Sequence, residues 1–219
     1  MASSLHRGLD KVAADDSDRD VEYFNPSGEI ARHVGRLPHW QQGEVMQFVT
    51  FRLGDAMPQS KLRKWKEDRG VWMERFPKPW SPEVEKEYYR RFYGRLEEWL
   101  DEGMGSCILR DPKNREVVER TLMYDEGRRV EHLSWVIMPN HVHMIFCPKV
   151  ELALLLKDWK GLSARRIGTG SIWQRGYRDT MIRDAEHFAN AVRYIRRNPA
   201  KLGKGEYTLW ESERALGVC

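Results

Sequence analysis

Two histidines one residue apart, His141 and His143, lie in an otherwise apolar run from Met138 to Phe146. Side chains alternate across a β-strand, so both imidazoles are expected to project from the same face. Neutral imidazoles bind divalent cations, and two of them side by side could provide two ligands for one cation. Paired histidines in a strand are also common as ordinary core or solvated residues, so this spacing alone leaves both interpretations open.

A second chemical element follows about fifty residues later, in the segment from Asp184 to Pro199. Asp184 is a favourable N-cap residue, the apolar residues recur at helical spacing, and Pro199 ends the pattern, which predicts an amphipathic helix. Tyr194 and Asn198 are four residues apart and therefore share one flank of this helix. Asn198 precedes a proline and is expected at the frayed last turn, with its amide turned toward a ligand. A phenol, a carboxamide and two imidazoles could then meet at one site.

The motifs on either side of these residues resemble the REP-associated tyrosine transposases, a branch of the single-tyrosine transposases within the HUH endonuclease group. Order, spacing and identity agree from about Arg36 to Leu202. The matching segments are Leu37-Pro38-His39-Trp40, Phe48-Val49-Thr50-Phe51-Arg52-Leu53, Met138-Pro139-Asn140-His141-Val142-His143, Trp173-Gln174-Arg175 with Tyr177, and Tyr194-Ile195-Arg196-Arg197-Asn198-Pro199.

The resemblance implies a metal-dependent endonuclease and strand transferase that acts on single-stranded DNA in transposition or recombination. It implies that His141, His143 and Asn198 ligate the metal and that Tyr194 is the nucleophile, giving a 5′-phosphotyrosine and a free 3′-OH. It also implies hairpin-forming repeats of the REP type as substrate. Two nitrogens with oxygen ligands suit a six-coordinate Mg²⁺ or Mn²⁺ better than Zn²⁺.

The chemistry of these residue types is consistent with those roles. A phenol has an ordinary pKa of about 10 and is a weak nucleophile at neutral pH, but a phosphodiester polarised by a cation is easier to attack. Taken without the family motifs, Tyr194 would be an ordinary helix residue with a packed ring and a hydroxyl at the surface. Tyr177 is a second candidate nucleophile, which the family pattern disfavours.

Basic residues are concentrated around the candidate nucleophile. Residues 151–205 contain 12 Lys and Arg against 5 Asp and Glu, although the whole 219-residue chain has a net charge of only +4. A positive stripe suits a phosphate backbone, and nine tryptophans and eight tyrosines offer rings for base stacking, although solvated helices and cores use the same residues. The candidate DNA-binding residues are Arg36, His39, Lys160, Arg165, Gln174, Arg175, Arg178, Arg193, Arg197 and Lys201.

The elements that must position these groups indicate an α+β fold. Periodicity predicts strands over 45–53, 130–138, 141–147 and within 171–182, and helices over 83–102, 112–124, 152–167 and 184–197. The family implies a ferredoxin-like βαββαβ core with an antiparallel sheet, helices on one face, the histidines exposed near the other side, and a C-terminal helix carrying the tyrosine. Residues 1–24 are expected to be a mobile tail, and 25–219 a single domain with a loop-rich insertion around 58–82.

Three widely spaced cysteines predict reduced thiols, and the chain has no membrane-length apolar run, which favours a cytoplasmic protein without a membrane partner. The family resemblance leaves both a monomer and a homodimer open. Two other functions stay open. One is a non-catalytic module that binds single-stranded nucleic acid, and the other is a metallonuclease that activates water.

Overall fold

The computed structural model describes residues 23–33 and 39–219. The predicted tail over 1–24 lies outside the described residues except for its last two, and Phe24 donates its backbone N–H to Ile182 O at 2.9 Å. Arg36, a candidate DNA-binding residue, also lies outside them.

A five-stranded antiparallel sheet forms the centre of the protein, in the order β6-β3-β5-β4-β7. Its strands are β3 (Gln47–Arg52), β4 (Val130–Ile137), β5 (His141–Pro148), β6 (Arg178–Met181) and β7 (Thr208–Glu211). A separate two-stranded ribbon consists of β1 (Ala31–His33) and β2 (His39–Gln41). The predicted α+β class is confirmed, and β6, β3, β5 and β4 have the strand order of a ferredoxin-like βαββαβ core, which β7 extends at one edge.

Helices connect the strands and cover the sheet. They are α1 (Gln59–Arg75), α2 (Pro82–Tyr88), α3 (Arg95–Asp101), α4 (Pro112–Met123), α5 (Leu152–Ile167), α6 (Ala185–Arg197) and α7 (Glu213–Leu216). A π-helical segment (Tyr89–Gly94) joins α2 to α3 without a break, and 3₁₀ turns cover Ile108–Arg110 and Asn198–Lys201. The strands and helices predicted after residue 83 are therefore found close to their predicted limits.

The loop-rich interpretation of residues 58–82 is wrong, because 17 of them form α1. Gly70 is exposed and costs the helix only about 1 kcal/mol relative to alanine. Burial of Trp72 against Tyr88 and Phe92 offsets that cost. The prolines at 77 and 79 act only after the helix has ended at Arg75.

Both faces of the sheet are covered, which corrects the expectation of helices on one face and exposed histidines. One core contains Val142, Met144 and Phe146 of β5, packed with residues of α4 and α5. The opposite core contains Ile145 of β5, packed with residues of α6 and α7. This division confirms the predicted alternation of side chains along β5. The histidines lie on the α6 side, so they are buried beneath that helix.

Among the described residues, no helix is long and apolar enough to cross a membrane.

Candidate functional site

The two histidines meet matching residues of the neighbouring strand β3. In the antiparallel register Thr50 lies opposite His143 and Arg52 lies opposite His141. The two imidazole centroids are 4.5 Å apart, and both side chains are completely buried. The strand pair therefore holds two imidazoles side by side, as the spacing of one residue predicts.

The Asn140 side chain fixes the orientation and tautomer of His141. Its amide nitrogen donates to Leu100 O and Met104 O, at 3.2 and 3.1 Å, so its oxygen must face His141 Nδ1, at 2.7 Å. A carboxamide oxygen only accepts, so Nδ1 of His141 carries the proton and Nε2 retains its lone pair. Nε2 is buried and makes no hydrogen bond of normal geometry with the described residues.

His143 lies between a hydroxyl of the sheet and the phenol of α6. Its Nδ1 is 2.7 Å from Thr50 Oγ1, and its Nε2 is 3.4 Å from the hydroxyl oxygen of Tyr194. The Tyr194 ring meets the imidazole edge to face, with centroids 5.1 Å apart, and Phe48 contacts both rings. Three elements, β3, β5 and α6, thus converge on one imidazole.

Both histidines are neutral at physiological pH. Burial lowers the pKa of His141 to about 3, an effect that the nearby side chain of Asn198 opposes and the charge of Arg52 reinforces. Burial also holds the pKa of His143 well below its ordinary value, with further lowering by His141 and Arg178. The neutral imidazole is the form that binds metals.

Helix α6 supplies the tyrosine and the asparagine. It begins at the Asp184 N-cap, whose carboxylate accepts the His187 N–H at 2.7 Å, and it buries Phe188, Val192 and Ile195 against the sheet. That packing leaves Tyr194 partly exposed at the edge, directed toward His143.

Asn198 differs from its predicted conformation while keeping its predicted position. It has α-helical dihedral angles and donates its backbone N–H to Tyr194 O, and the chain then continues into a 3₁₀ turn through Pro199. Helical geometry therefore persists across the residue before proline, and it places the Asn198 side chain beside His141.

The donor set partly fits a hard divalent cation. Two neutral imidazoles and the carboxamide of Asn198 lie together, and the buried lone pair of His141 Nε2 has no normal hydrogen bond with the described residues. Within residues 23–33 and 39–219 no three His, Cys, Asp or Glu residues cluster as a metal site would need. Any such ion would therefore take its remaining ligands from phosphate and water, which Mg²⁺ commonly does.

Two arginines bring positive charge to this site. Burial lowers the pKa of Arg52 to about 10, and its guanidinium bonds the Gln174 side-chain oxygen and Met57 Sδ. The Arg178 guanidinium lies 4.6 Å from the Tyr93 ring centroid and lowers the pKa of His143. The candidate DNA-binding residues Gln174 and Arg178 are thus beside the histidines.

Other candidate DNA-binding residues have contacts within the protein. Lys160 Nζ donates to Gln174 O and Gly176 O, at 2.6 and 2.7 Å, and burial lowers its pKa to about 8. His39 Nδ1 lies 2.6 Å from Asp179 Oδ1. Arg193 donates to Cys219 O and Asn190 Oδ1. The exposed members of the set are Arg165, Arg175, Arg197 and Lys201.

Tyr177, the second candidate nucleophile, is poorly placed for attack. Its ring stacks on His39 at a centroid distance of 3.9 Å, and burial raises the pKa of its hydroxyl well above the ordinary value.

Three residues at the site were not singled out by the sequence: Thr50, Arg52 and Asn140. Thr50 and Arg52 alternate with apolar residues in β3, as His141 and His143 do in β5, so the polar alternation of two strands was an available signal. Asn140 immediately precedes the histidine pair, within the segment Met138–His143 that carries the resemblance.

Among known proteins, a solved structure is similar to this chain. No protein-family model matches the chain, and no curated protein matches it. A structure of a REP-associated tyrosine transposase bound to a REP hairpin overlaps 78% of this chain and 75% of its own, with a TM-score of 0.43 and 16% identity. A TM-score and an identity this low establish neither family membership nor function.

Proposed function

We propose that this chain is a metal-dependent endonuclease and strand transferase for single-stranded DNA, with Tyr194 as its covalent nucleophile. The observation that carries the proposal is the approach of the Tyr194 hydroxyl oxygen to His143 Nε2, at 3.4 Å, beside the second buried imidazole of His141.

His141, His143 and Asn198 would hold Mg²⁺ or Mn²⁺, which would polarise the scissile phosphate and stabilise its developing charge. Asn140 and Thr50 contact the Nδ1 atoms of the two imidazoles, which would leave both Nε2 atoms for the metal. Burial keeps the rings neutral, so protons do not compete for these lone pairs at physiological pH.

The covalent step transfers one phosphodiester bond. The Tyr194 phenolic oxygen attacks phosphorus, the bond from phosphorus to the 3′ oxygen breaks, and the 5′-phosphate stays on the tyrosine. The phenolic proton leaves to water, which reaches this partly exposed residue, and the 3′ oxygen takes up a proton. Attack by a 3′-OH on the phosphotyrosine reverses the reaction and joins strands, because the aryl ester retains the free energy of the broken phosphodiester bond.

The charge around the site supports a polyanionic substrate. Arg178 lies close enough to lower the pKa of His143, and Arg52 lies opposite His141 in the sheet. The motif resemblance adds hairpin-forming repeats of the REP type as the substrate and transposition or recombination as the process.

The test is denaturing gel electrophoresis after incubation with Mn²⁺ and labelled single-stranded hairpins. We expect a labelled band at protein mass for the wild type, none for Tyr194→Phe, and an unchanged band for the matched control Tyr177→Phe. Chelation of the metal should remove the band.

Two results would replace the proposal with a named alternative. Cleavage that survives Tyr194→Phe without an adduct would identify a metallonuclease that activates water. Tight binding without cleavage, with either metal, would identify a non-catalytic nucleic-acid-binding module.

A further inference from the structure

The helical insertion after β3 has an aromatic cluster of its own. Trp72, Tyr88 and Phe92 make its buried centre, where α1 packs against α2 and the π-helical segment. A concave site lies beside this aromatic cluster, between α1 on one side and the π-helical segment with α3 on the other.

That site is a cavity of about 260 Å³, which we name the insertion pocket. Its lining includes four cations and two indole rings, together with Phe92 and the carboxylate of Asp68. The four cations and the two indole rings belong to Lys61, Lys64, Arg91, Arg95, Trp65 and Trp99.

The rings and the cations are interleaved. Trp99 has the Lys61 ammonium and the Arg95 guanidinium 5.5 and 5.4 Å from its centroid. Trp65 is fixed by its indole N–H, which donates to Phe92 O at 2.9 Å. A carboxylate, Glu102, pairs with Lys61 at 2.9 Å, but both groups are at least 40% exposed, so that pair is weak and easily exchanged for another anion.

Flat rings alternating with cations match the chemistry of a single-stranded polynucleotide. Unpaired bases stack on aromatic side chains in any sequence, while phosphates take the cations. The volume lies below the range of about 300–1,000 Å³ usual for small-molecule sites, which fits a short stretch of a longer chain. An acidic peptide would use the cations and leave the indoles without a stacking partner.

A series of contacts connects the insertion pocket with the candidate active site. Tyr93 directly follows Phe92 in the π-helical segment, and its ring carries the Arg178 guanidinium at 4.6 Å. Arg178 in turn lies near enough to His143 to lower its pKa. Met104, just beyond α3, accepts a hydrogen bond from Asn140, which orients His141.

We infer that the insertion pocket binds a single-stranded stretch of the DNA substrate away from the scissile phosphate. The inference rests on the proposed function only for the identity of the DNA as substrate. It predicts binding of single-stranded DNA whether or not Tyr194 reacts.

The experiment uses the full chain carrying Tyr194→Phe, so that no chemical adduct can form. Binding of a fluorescent oligothymidylate is measured across a salt series. The double variant Lys64→Gln/Arg91→Gln should lower the slope of log affinity against log salt by about 1.4, which corresponds to two phosphate contacts on a single strand. The charge-matched control Lys66→Gln/Lys86→Gln, at exposed positions outside the pocket, should keep the original slope.

Stacking is tested separately with Trp99→Leu, which keeps apolar bulk and removes the flat ring. We expect about a tenfold loss of affinity, with thermal unfolding recorded to verify the fold. A bromodeoxyuridine oligonucleotide irradiated with the Tyr194→Phe protein should crosslink to peptides that contain Trp65 or Trp99.

An unchanged salt slope in Lys64→Gln/Arg91→Gln, or crosslinks confined to other peptides, would overturn the inference. Equal displacement of the oligonucleotide by a polyglutamate peptide would also overturn it, in favour of an acidic protein partner. If the wild type never forms a covalent adduct but these pocket effects are found, the proposed function fails and the inference stands.

Discussion

Replacing Thr50 with valine removes the hydroxyl that contacts His143 and changes little else in shape. The Oγ1 to Nδ1 distance is 2.7 Å, Thr50 is 7% exposed and His143 is 0% exposed, so the contact is desolvated. The proposed metal binding through Nε2 requires the proton on Nδ1, and Thr50 Oγ1 would then accept the hydrogen bond from that N–H. Valine would leave that N–H buried without a partner, a cost of about 2 kcal/mol from the usual 1–3.

Two measurements follow from this contact. The free energy of unfolding should fall by about 2 kcal/mol in Thr50→Val, and Mn²⁺ affinity by titration calorimetry should fall roughly 10- to 100-fold. Saturating Mn²⁺ should restore adduct formation, because Thr50 does not contact the reacting atoms. Thr50→Ser restores the hydroxyl and is the matched control, with affinity close to that of the wild type. The reasoning is refuted if valine and serine variants bind Mn²⁺ equally well.

Three further predictions concern stability and the loop near the site. Burial lowers the pKa of His132 from 6.5 to about 4, so the unfolded chain takes up the proton at a higher pH than the folded protein does. The resulting contribution to stability, about 3 kcal/mol, is fully present above pH 6.5 and is lost as the pH falls toward 4. Denaturant unfolding against pH should show this loss, and His132→Gln should reduce it by about 3 kcal/mol, while the buried His141 and His143 continue to contribute. An equal loss in the wild type and in His132→Gln would contradict the assignment. Gly105 has φ of +90°, and a Cβ there would lie 2.5 Å from Asp55 O, so Gly105→Ala should cost at least ~2 kcal/mol in thermal unfolding, more than Gly103→Ala, which meets no atom within 4 Å. Lys160→Met should speed hydrogen exchange in the loop after residue 173 and leave the salt slope of DNA binding unchanged; a drop of about 0.7 in that slope would instead show a phosphate contact.

The parts of the site that depend on local periodicity were predictable from the sequence. Period two along β5 separates His141 and His143 from Val142 and Met144, and the two cores of the protein follow that division. The helix that carries Tyr194 was equally clear, because its N-cap and apolar spacing agree. Both signals depend only on residues that are close together in the sequence.

Contacts between distant segments were not predictable in the same way. Burial of the histidines depends on where α6 packs, and the pairing of Thr50 with His143 depends on strand register. The role of Asn140 was not predictable, because its two carbonyl partners, at Leu100 and Met104, lie at the end of a helix about 40 residues earlier in the chain.

The insertion shows how tertiary packing overrides local signals. Gly70 and the prolines after it are typical of loops, and the sequence interpretation followed them. The helix forms because Trp65 and Trp72, seven residues apart, lie on one face and pack on aromatic residues of the next segment. The stabilisation from this packing can be foreseen only when the segment that contacts these tryptophans is known.

The separation of the site residues along the chain also sets the order in which the site can assemble. The hairpin of β4 and β5 closes over a short turn, whereas Thr50 is 93 residues before His143 and Tyr194 is 51 residues after it. Contacts over short loops form before contacts over long ones, since closing a longer loop costs more entropy. In a partly folded chain the two imidazoles would therefore lie side by side before Tyr194 reaches them, so we expect the proposed covalent chemistry only when folding is nearly complete.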